Sequence, residues 1–484
     1  MKRVPLLRWL AVVLLVAAAL LFTFQPAPPD PLGAADRLFA DGHYYAALAA
    51  YESLAPQLPV AQLRLGMVRV LRGERISAER AIRTAMQRGL APADYHLALL
   101  YLGRTLADDG RSDLASRTWR LLADCRDQAA CAYQAPGRAL AAAEALRHGD
   151  YRAAEADYRA ALATPMPPGW AASCRYHLAL LLAPNAPDAA LAFLAESGPA
   201  ASLAPADPLL APLLPLIGAG PGQLAAVLAA DPAQRPQLLG QLYVGLGLYG
   251  LAEEQFARVD PHGPAALNAA AYAAYTRWRA GATTEGLARL EALVAAHPDE
   301  PRARTLLALA YLTKDAGTAA HDQIDALARL RPGTPEVELA WANWYTAQHE
   351  YDQASQAYDR ALAAAAPAER GTYALLAARF HLATTYELCE VGLPLAELAA
   401  HELSGDPTAL TTLAAHRYHC GQFAGAAAAA RSAGDGPEAT YYLGVALAAL
   451  GERDAARATL ISAADMAPAS DWRRRAELAL ALLP

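Results

Sequence analysis

The only spacing in the chain suited to a metal lies near its C-terminal end. His416-x-x-His419-Cys420 sets two imidazoles three residues apart. On a helix such a pair faces one side, and imidazole suits zinc. A third ligand would have to be recruited, with His381 or His401 the candidates, and no His-Glu-x-x-His occurs. The cluster therefore reads as a polar helix end, with no metal and no cofactor. The other reactive groups are five cysteines, Cys125, Cys131, Cys174, Cys389 and Cys420. They are either small buried apolar side chains or, in an oxidising compartment, partners in bridges. Cys125 and Cys131 bracket one interhelical loop and could close it. No phosphate loop, nucleophile elbow or Ser/His/Asp arrangement is present. Paired acids such as Glu253-Glu254 and Asp108-Asp109 read as solvated helix positions or turns. No catalytic residue is assigned, and the chain is expected not to be an enzyme.

The elements that must position these side chains repeat. Gly247, Gly281, Asp315 and His349 stand 34 residues apart, three times running. Pro264, Pro298 and Pro332 keep the same step, and Pro367 comes one residue late. Between them recur a small residue (Ala252, Gly286, Ala320, Ala354) and, four residues on, a large one (Phe256, Leu290, Ile324, Tyr358). The first half of each unit carries a large residue and then a small one: Leu239-Gly240, Leu307-Ala308, Trp341-Ala342. Small residues let two helices approach closely, and the large ones fill the space between neighbouring pairs. The proline ends the second helix because it disfavours helix in the residue before it. One hairpin cannot bury its own apolar stripe, so the units must stack.

Over this stretch the chain resembles the tetratricopeptide repeat family, whose period is about 34 residues. The resemblance implies an all-α, right-handed superhelical solenoid with a concave binding face. Looser units precede it, with glycines at 42, 73, 110 and 149, and others follow it, for about eleven or twelve hairpins. The expected organisation is an anchor and proline-rich spacer over 1–33, a first array over 34–198, and a proline-rich stretch over 199–235. That stretch is either an irregular hairpin or a hinge. A second array over 236–469 and a capping helix over 470–484 complete it, with Arg473 to Arg475 on the cap's polar side. After Pro367 the register slips, and one long helix is expected from Glu369 to Glu390.

In the family, ligands lie on the concave face, on fixed positions of each first helix. Carried onto matching units, those positions hold Gln234, Gln237, Gln241, Asn268, Tyr275, Trp278, Arg279, Arg302 and Asn343. Such amides and aromatics suit a peptide backbone or sugar hydroxyls. The family's two-carboxylate clamp is not present. In the first array the same positions are apolar (Val60, Leu63, Met67, Val70, Leu71). They form either a groove for an amphipathic helix or a face that the N-terminal spacer, or the looser register, simply covers. Cys389 and Cys420 fall near the ends of adjacent first helices, which lie side by side in a solenoid, so a bridge between them is geometrically plausible.

Lys2, Arg3 and Arg8 precede an apolar run from Trp9 to Phe24. Counted back to Leu6 it is about 19 residues, enough to span a bilayer core as a helix. No small-x-small cleavage site follows, and the far flank (Asp30, Asp36) is neutral to acidic. A retained single-pass anchor in the cytoplasmic membrane is expected, with the repeats outside. The chain is 55% hydrophobic, and its net charge of −7 argues against a nucleic-acid surface. Lys2 and Lys314 are the only lysines. The expected function is a membrane-anchored scaffold that binds a protein or peptide on its concave face. The alternative is a glycan-binding component of a polysaccharide export or cell-envelope assembly system, motivated by Tyr275, Trp278 and the glutamines.

Overall fold

A computed structural model describes residues 30–123, 131–196, 207–215, 220–314 and 316–483. The apolar run Trp9–Phe24 lies outside them. Among the described residues no helix is long and apolar enough to cross a membrane.

The regular elements of the described residues are all helical. Twelve antiparallel pairs run from Pro31–Ala40 with Tyr44–Leu54 to Pro437–Ala449 with Arg453–Met466. In most of these pairs a residue at the tight turn is left-handed. Gly247 has φ 73°, Gly281 103°, and the non-glycine His349 59°. Residues one period apart thus hold the same backbone role, as left-handed φ favours glycine. The periodic prolines act one turn later. Helices Thr283–Ala296 and Gly317–Leu330 stop before His297 and Arg331, which precede Pro298 and Pro332 and leave the helical region at φ −132° and −136°.

The small residue of each first helix meets the large one of the second. A Cβ on Gly103 would lie 2.2 Å from the Trp119 indole nitrogen, and one on Gly240 2.6 Å from the Phe256 ring. The helices approach so closely there that no side chain fits. First helices of successive pairs then pack on each other, Pro301–Thr313 on Ala266–Arg279 and Pro437–Ala449 on Pro407–His419. Their inward positions line the inner face of the array.

In the first array that face is filled. Leu63, Met67, Leu97 and Leu100 are buried, and so are Leu210 and Leu213 of the proline-rich stretch, in one continuous cluster. Tyr101 Oη donates to Leu209 O at 2.7 Å, and Ser173 Oγ to Pro215 O at 3.3 Å. Residues 207–215 therefore lie against the first helices Pro92–Asp108 and Pro168–Leu182, while of the expected apolar positions Leu63, Met67 and Val70 are buried and Val60 and Leu71 half-buried. The same cluster continues through Leu224, Leu228 and Tyr243 to Ala269. Tyr243 Oη also donates to Leu180 O at 2.7 Å.

The expected long helix after Pro367 is corrected. Helix Arg370–Thr384 stops at Thr385 and Glu387, both left-handed at φ 58° and 41°. A single π turn, Leu388–Gly392, then leads into Leu393–Glu402. The turn is pinned from two sides. His381 Nδ1 lies 2.6 Å from Tyr386 O. A Cβ on Gly392 would meet His381 Cβ at 2.7 Å and His416 Nε2 at 2.8 Å.

The C-terminal helix makes contacts on both sides. Helix Asp471–Leu482 buries Ala476 and Leu480 against the last hairpin, as an end helix should. Its polar side is not wholly solvated. Arg72 Nη1 lies 2.7 Å from Glu477 Oε1, and Tyr45 N–H donates to Asp465 Oδ1 at 2.7 Å. The array curves until its last units meet its first.

Candidate functional site

The structure brings part of the expected surface together. Tyr275 and Trp278 stack with ring centroids 5.5 Å apart. Arg279 lies over Tyr249 at 5.2 Å and over Tyr275 at 5.9 Å, and its Nη1 donates to Tyr275 Oη at 3.2 Å. Arg302 sits over Tyr272 at 5.8 Å. Trp278 is turned inward: its Nε1 is buried without a partner, and the ring packs in a cluster with Leu290. Asn268 Oδ1 is likewise buried and unpaired. Asn343 Oδ1 accepts from Tyr358 Oη of its own hairpin at 3.4 Å. Gln234 and Gln241 stand exposed, with Gln237 half-buried beside them. The nine residues therefore form an aromatic–arginine patch on Ala266–Arg279 and scattered polar groups on either side, not one site. The Trp278 ring is half-buried, stacked on Tyr275 and packed beside the core.

The histidine cluster does not converge. His416 is buried, its Nδ1 2.9 Å from Thr412 O within its own helix. His419 lies against the Tyr442 ring at 5.9 Å. Burial pushes the His416 imidazole down, and burial, then the Arg475 charge, does the same to His419. Among the described residues no group of three metal-type ligands exists.

A bridge joins Cys389 and Cys420, with Cα atoms 5.6 Å apart. Cys420 ends the first helix Pro407–His419, but Cys389 is in the π turn and not on a first helix. The bond therefore ties the turn inside one hairpin to the first helix of the next. Cys174 is free and buried, and burial raises its thiol to about 12, so it stays protonated and unreactive. Cys125 lies outside the described residues, and with it the pairing expected between Cys125 and Cys131.

The most developed opening lies on the inner face of the last units. It is a groove of about 820 Å³ lined by four successive first helices. Arg379 and Leu382 come from Arg370–Thr384, and Thr408, Thr411 and His419 from Pro407–His419. Glu438 and Tyr442 come from Pro437–Ala449, and Trp472 and Arg475 from the cap. Tyr442 packs at 5.9 Å on Trp472, which Arg475 covers at 4.9 Å. Arg379 makes no hydrogen bond or ion pair with any described residue. Burial raises the Glu438 carboxyl, and the charges of Arg379 and Arg475 oppose that rise. Burial, then Glu438, raises the Tyr442 hydroxyl to about 12, so it remains a donor. The groove thus offers two cations with the Glu438 carboxyl between them, an aromatic wall and hydroxyl groups. Such a lining suits a polypeptide carrying negative charge.

The sequence reading missed this groove although its own rule reaches it. Thr408 and Glu438 occupy the inward position that Asn268 holds in its unit, Thr411 that of Gln237, and His419 that of Arg279. The large-small pairs Leu413-Ala414 and Leu443-Gly444 mark the register that reaches them.

No protein-family model matches the chain, and no curated protein matches it. Among solved structures it is similar to the APC/C hetero-tetramer Cut9–Hcn1, at 13% identity over 93% of this chain and 88% of that one, with a TM-score of 0.38. It is also similar to yeast Tom70, at 13% identity over 92% and 94%, with a TM-score of 0.39. PilW, a type IV pilus biogenesis factor, matches 44% of this chain with 98% of its own at 14% identity and a TM-score of 0.38. These likenesses are thin. The tetratricopeptide-like register rests on this chain's own turns, close approaches and stacked first helices.

Proposed function

We propose that the chain is a non-enzymatic scaffold, anchored by its N-terminal apolar run with the repeats outside the cytoplasmic membrane. It binds a protein partner in the groove between Arg379 and Arg475. The observation that carries this reading is that groove: four first helices turn charged, hydroxyl and aromatic side chains into one trough. In the first array the chain's own residues 207–215 occupy the corresponding face. Arg379 and Arg475 together outweigh the single Glu438 carboxyl in the trough, which favours a partner segment with carboxylates over a neutral glycan.

A photo-crosslinking amino acid at Thr411, inside the groove, is expected to capture a discrete protein in native membranes. The same probe at Leu114, exposed on a second helix, is expected to capture none of it. Arg379→Glu with Arg475→Glu should lower the Thr411 capture about tenfold or more, a loss of roughly 1.4 kcal/mol or above. Equal capture at both positions, or no effect of the charge reversal, sinks the reading. Carbohydrate without protein at Thr411 would favour the glycan alternative. Removing residues 1–29 should move the chain from the membrane fraction to the soluble one; a chain that stays in the pellet refutes the anchor.

A further inference from the structure

One helix serves two contacts. Helix Asp471–Leu482 turns Trp472 and Arg475 into the groove. The same helix carries Arg473 and Glu477, which reach back to the second hairpin of the array. Arg72 Nη1 lies 2.7 Å from Glu477 Oε1, with only 9% of the Arg72 side chain and 24% of the Glu477 side chain exposed. Arg473 Nη2 donates to Arg72 O at 3.3 Å, and its Nη1 lies 3.9 Å from Glu74. Beside them Asp465 accepts the Tyr45 N–H at 2.7 Å, with His43 at 4.0 Å.

Charged side chains meet across this seam, and the buried clusters of the two ends do not merge there. Ion pairs and hydrogen bonds to charged groups hold it. Such contacts are strong while dry and weaken when a partner charge is removed or screened.

We propose that the seam is a reversible latch on the groove. Closed, it fixes the cap helix so that Trp472 and Arg475 complete the trough. Open, the cap keeps only its contacts with the last hairpin, through Trp472, Ala476 and Leu480, and the fourth wall of the trough loosens. A partner seated between Arg379 and Arg475 then favours the closed ring, and closure favours the partner, by the reciprocity of linked equilibria. This coupling rests on the groove being the binding site proposed above.

The backbone supplies a reporter. A Cβ on Gly73 would lie 3.9 Å from Ala469 Cβ, inside the range of a disulfide. In the full chain in detergent, Gly73→Cys with Ala469→Cys should form an intramolecular crosslink under mild oxidation, read as a mobility shift on a non-reducing gel. Wild type, with its own cysteines, is the control. Arg72→Glu should lower the crosslink yield about tenfold, and adding Glu477→Arg should restore it. Gly73 has φ 72°, where cysteine is strained, so amide hydrogen exchange of Asp471–Leu482 is measured in proteins without the added cysteines. Exchange there should quicken with Arg72→Glu and slow again in the swapped pair. No crosslink in the double-cysteine protein together with unchanged exchange overturns the latch. A crosslink that ignores Arg72→Glu overturns its reversibility. Unchanged Thr411 capture in an Arg72→Glu chain whose cap exchanges faster overturns the coupling. A Thr411 probe that captures nothing, while crosslink and exchange respond as expected, removes the groove reading and leaves the latch standing.

Discussion

Trp119→Ala is expected to destabilise the third hairpin by about 3–5 kcal/mol, the usual cost of emptying a buried tryptophan site. Trp119 is 1% exposed, its Nε1 donates to Leu100 O at 3.0 Å, and its ring lies on the bare backbone of Gly103. Nothing nearby can collapse into the space, because the two helices are already in contact at the glycine. Trp119→Ile should cost roughly half as much. It reproduces the pairing of Gly66 with Ile82 in the hairpin before, where a Cβ would lie 2.6 Å from the isoleucine. Amide exchange of Pro92–Asp108 measures both. Equal losses for alanine and isoleucine would contradict the close-approach account.

Arg64→Ala is expected to cost about 3 kcal/mol, because it leaves carboxylates without their cation. Arg64 is 6% exposed and ties three hairpins together. Its Nε lies 3.4 Å from Asp36 and its Nη2 2.9 Å from Asp94. Asp36 also accepts from Tyr51 Oη at 2.7 Å, and burial, then that hydrogen bond, raises the Tyr51 hydroxyl far above its ordinary value. Replacing the cation with a methionine should recover little, since shape is not what is lost. Arg64→Met together with Asp36→Asn and Asp94→Asn should recover most of it, because no lone charge remains. Exchange of Pro59–Leu71 amides reads the difference. A triple variant as weak as Arg64→Ala would show that packing, not charge, holds the three hairpins.

What could be read from the chain alone follows from what repeats. The turn glycines and the residue pairs around them recur because every hairpin meets the same backbone and packing demands. The cover on the first array does not recur: Leu210 and Leu213 belong to a stretch with no period, and their partners lie far away in sequence. The seam was hidden for another reason. Arg72, Glu74 and Glu477 look like any solvated helix charges until curvature brings the ends together. The π turn had no signal either, since Thr385 and Glu387 adopt left-handed angles without being glycine. Of the nine inward residues named from the register, Tyr275, Trp278 and Arg279 form a patch. The trough lies in later units, whose register is legible from Leu413-Ala414 and Leu443-Gly444 but whose inward residues, Thr408, Thr411 and Glu438, carry no distinctive pattern.

The Cys389–Cys420 bond also sets how the chain would respond to tension. A solenoid pulled from its two ends unravels unit by unit, each hairpin paying out its full contour. Here 31 residues are shorted by a covalent tie. At about 3.5 Å per extended residue, roughly 110 Å of length cannot be drawn out until the tie is reduced. A chain tethered at one end to a moving surface would therefore carry a mechanical stop within the units that build its groove, set by the redox state around it.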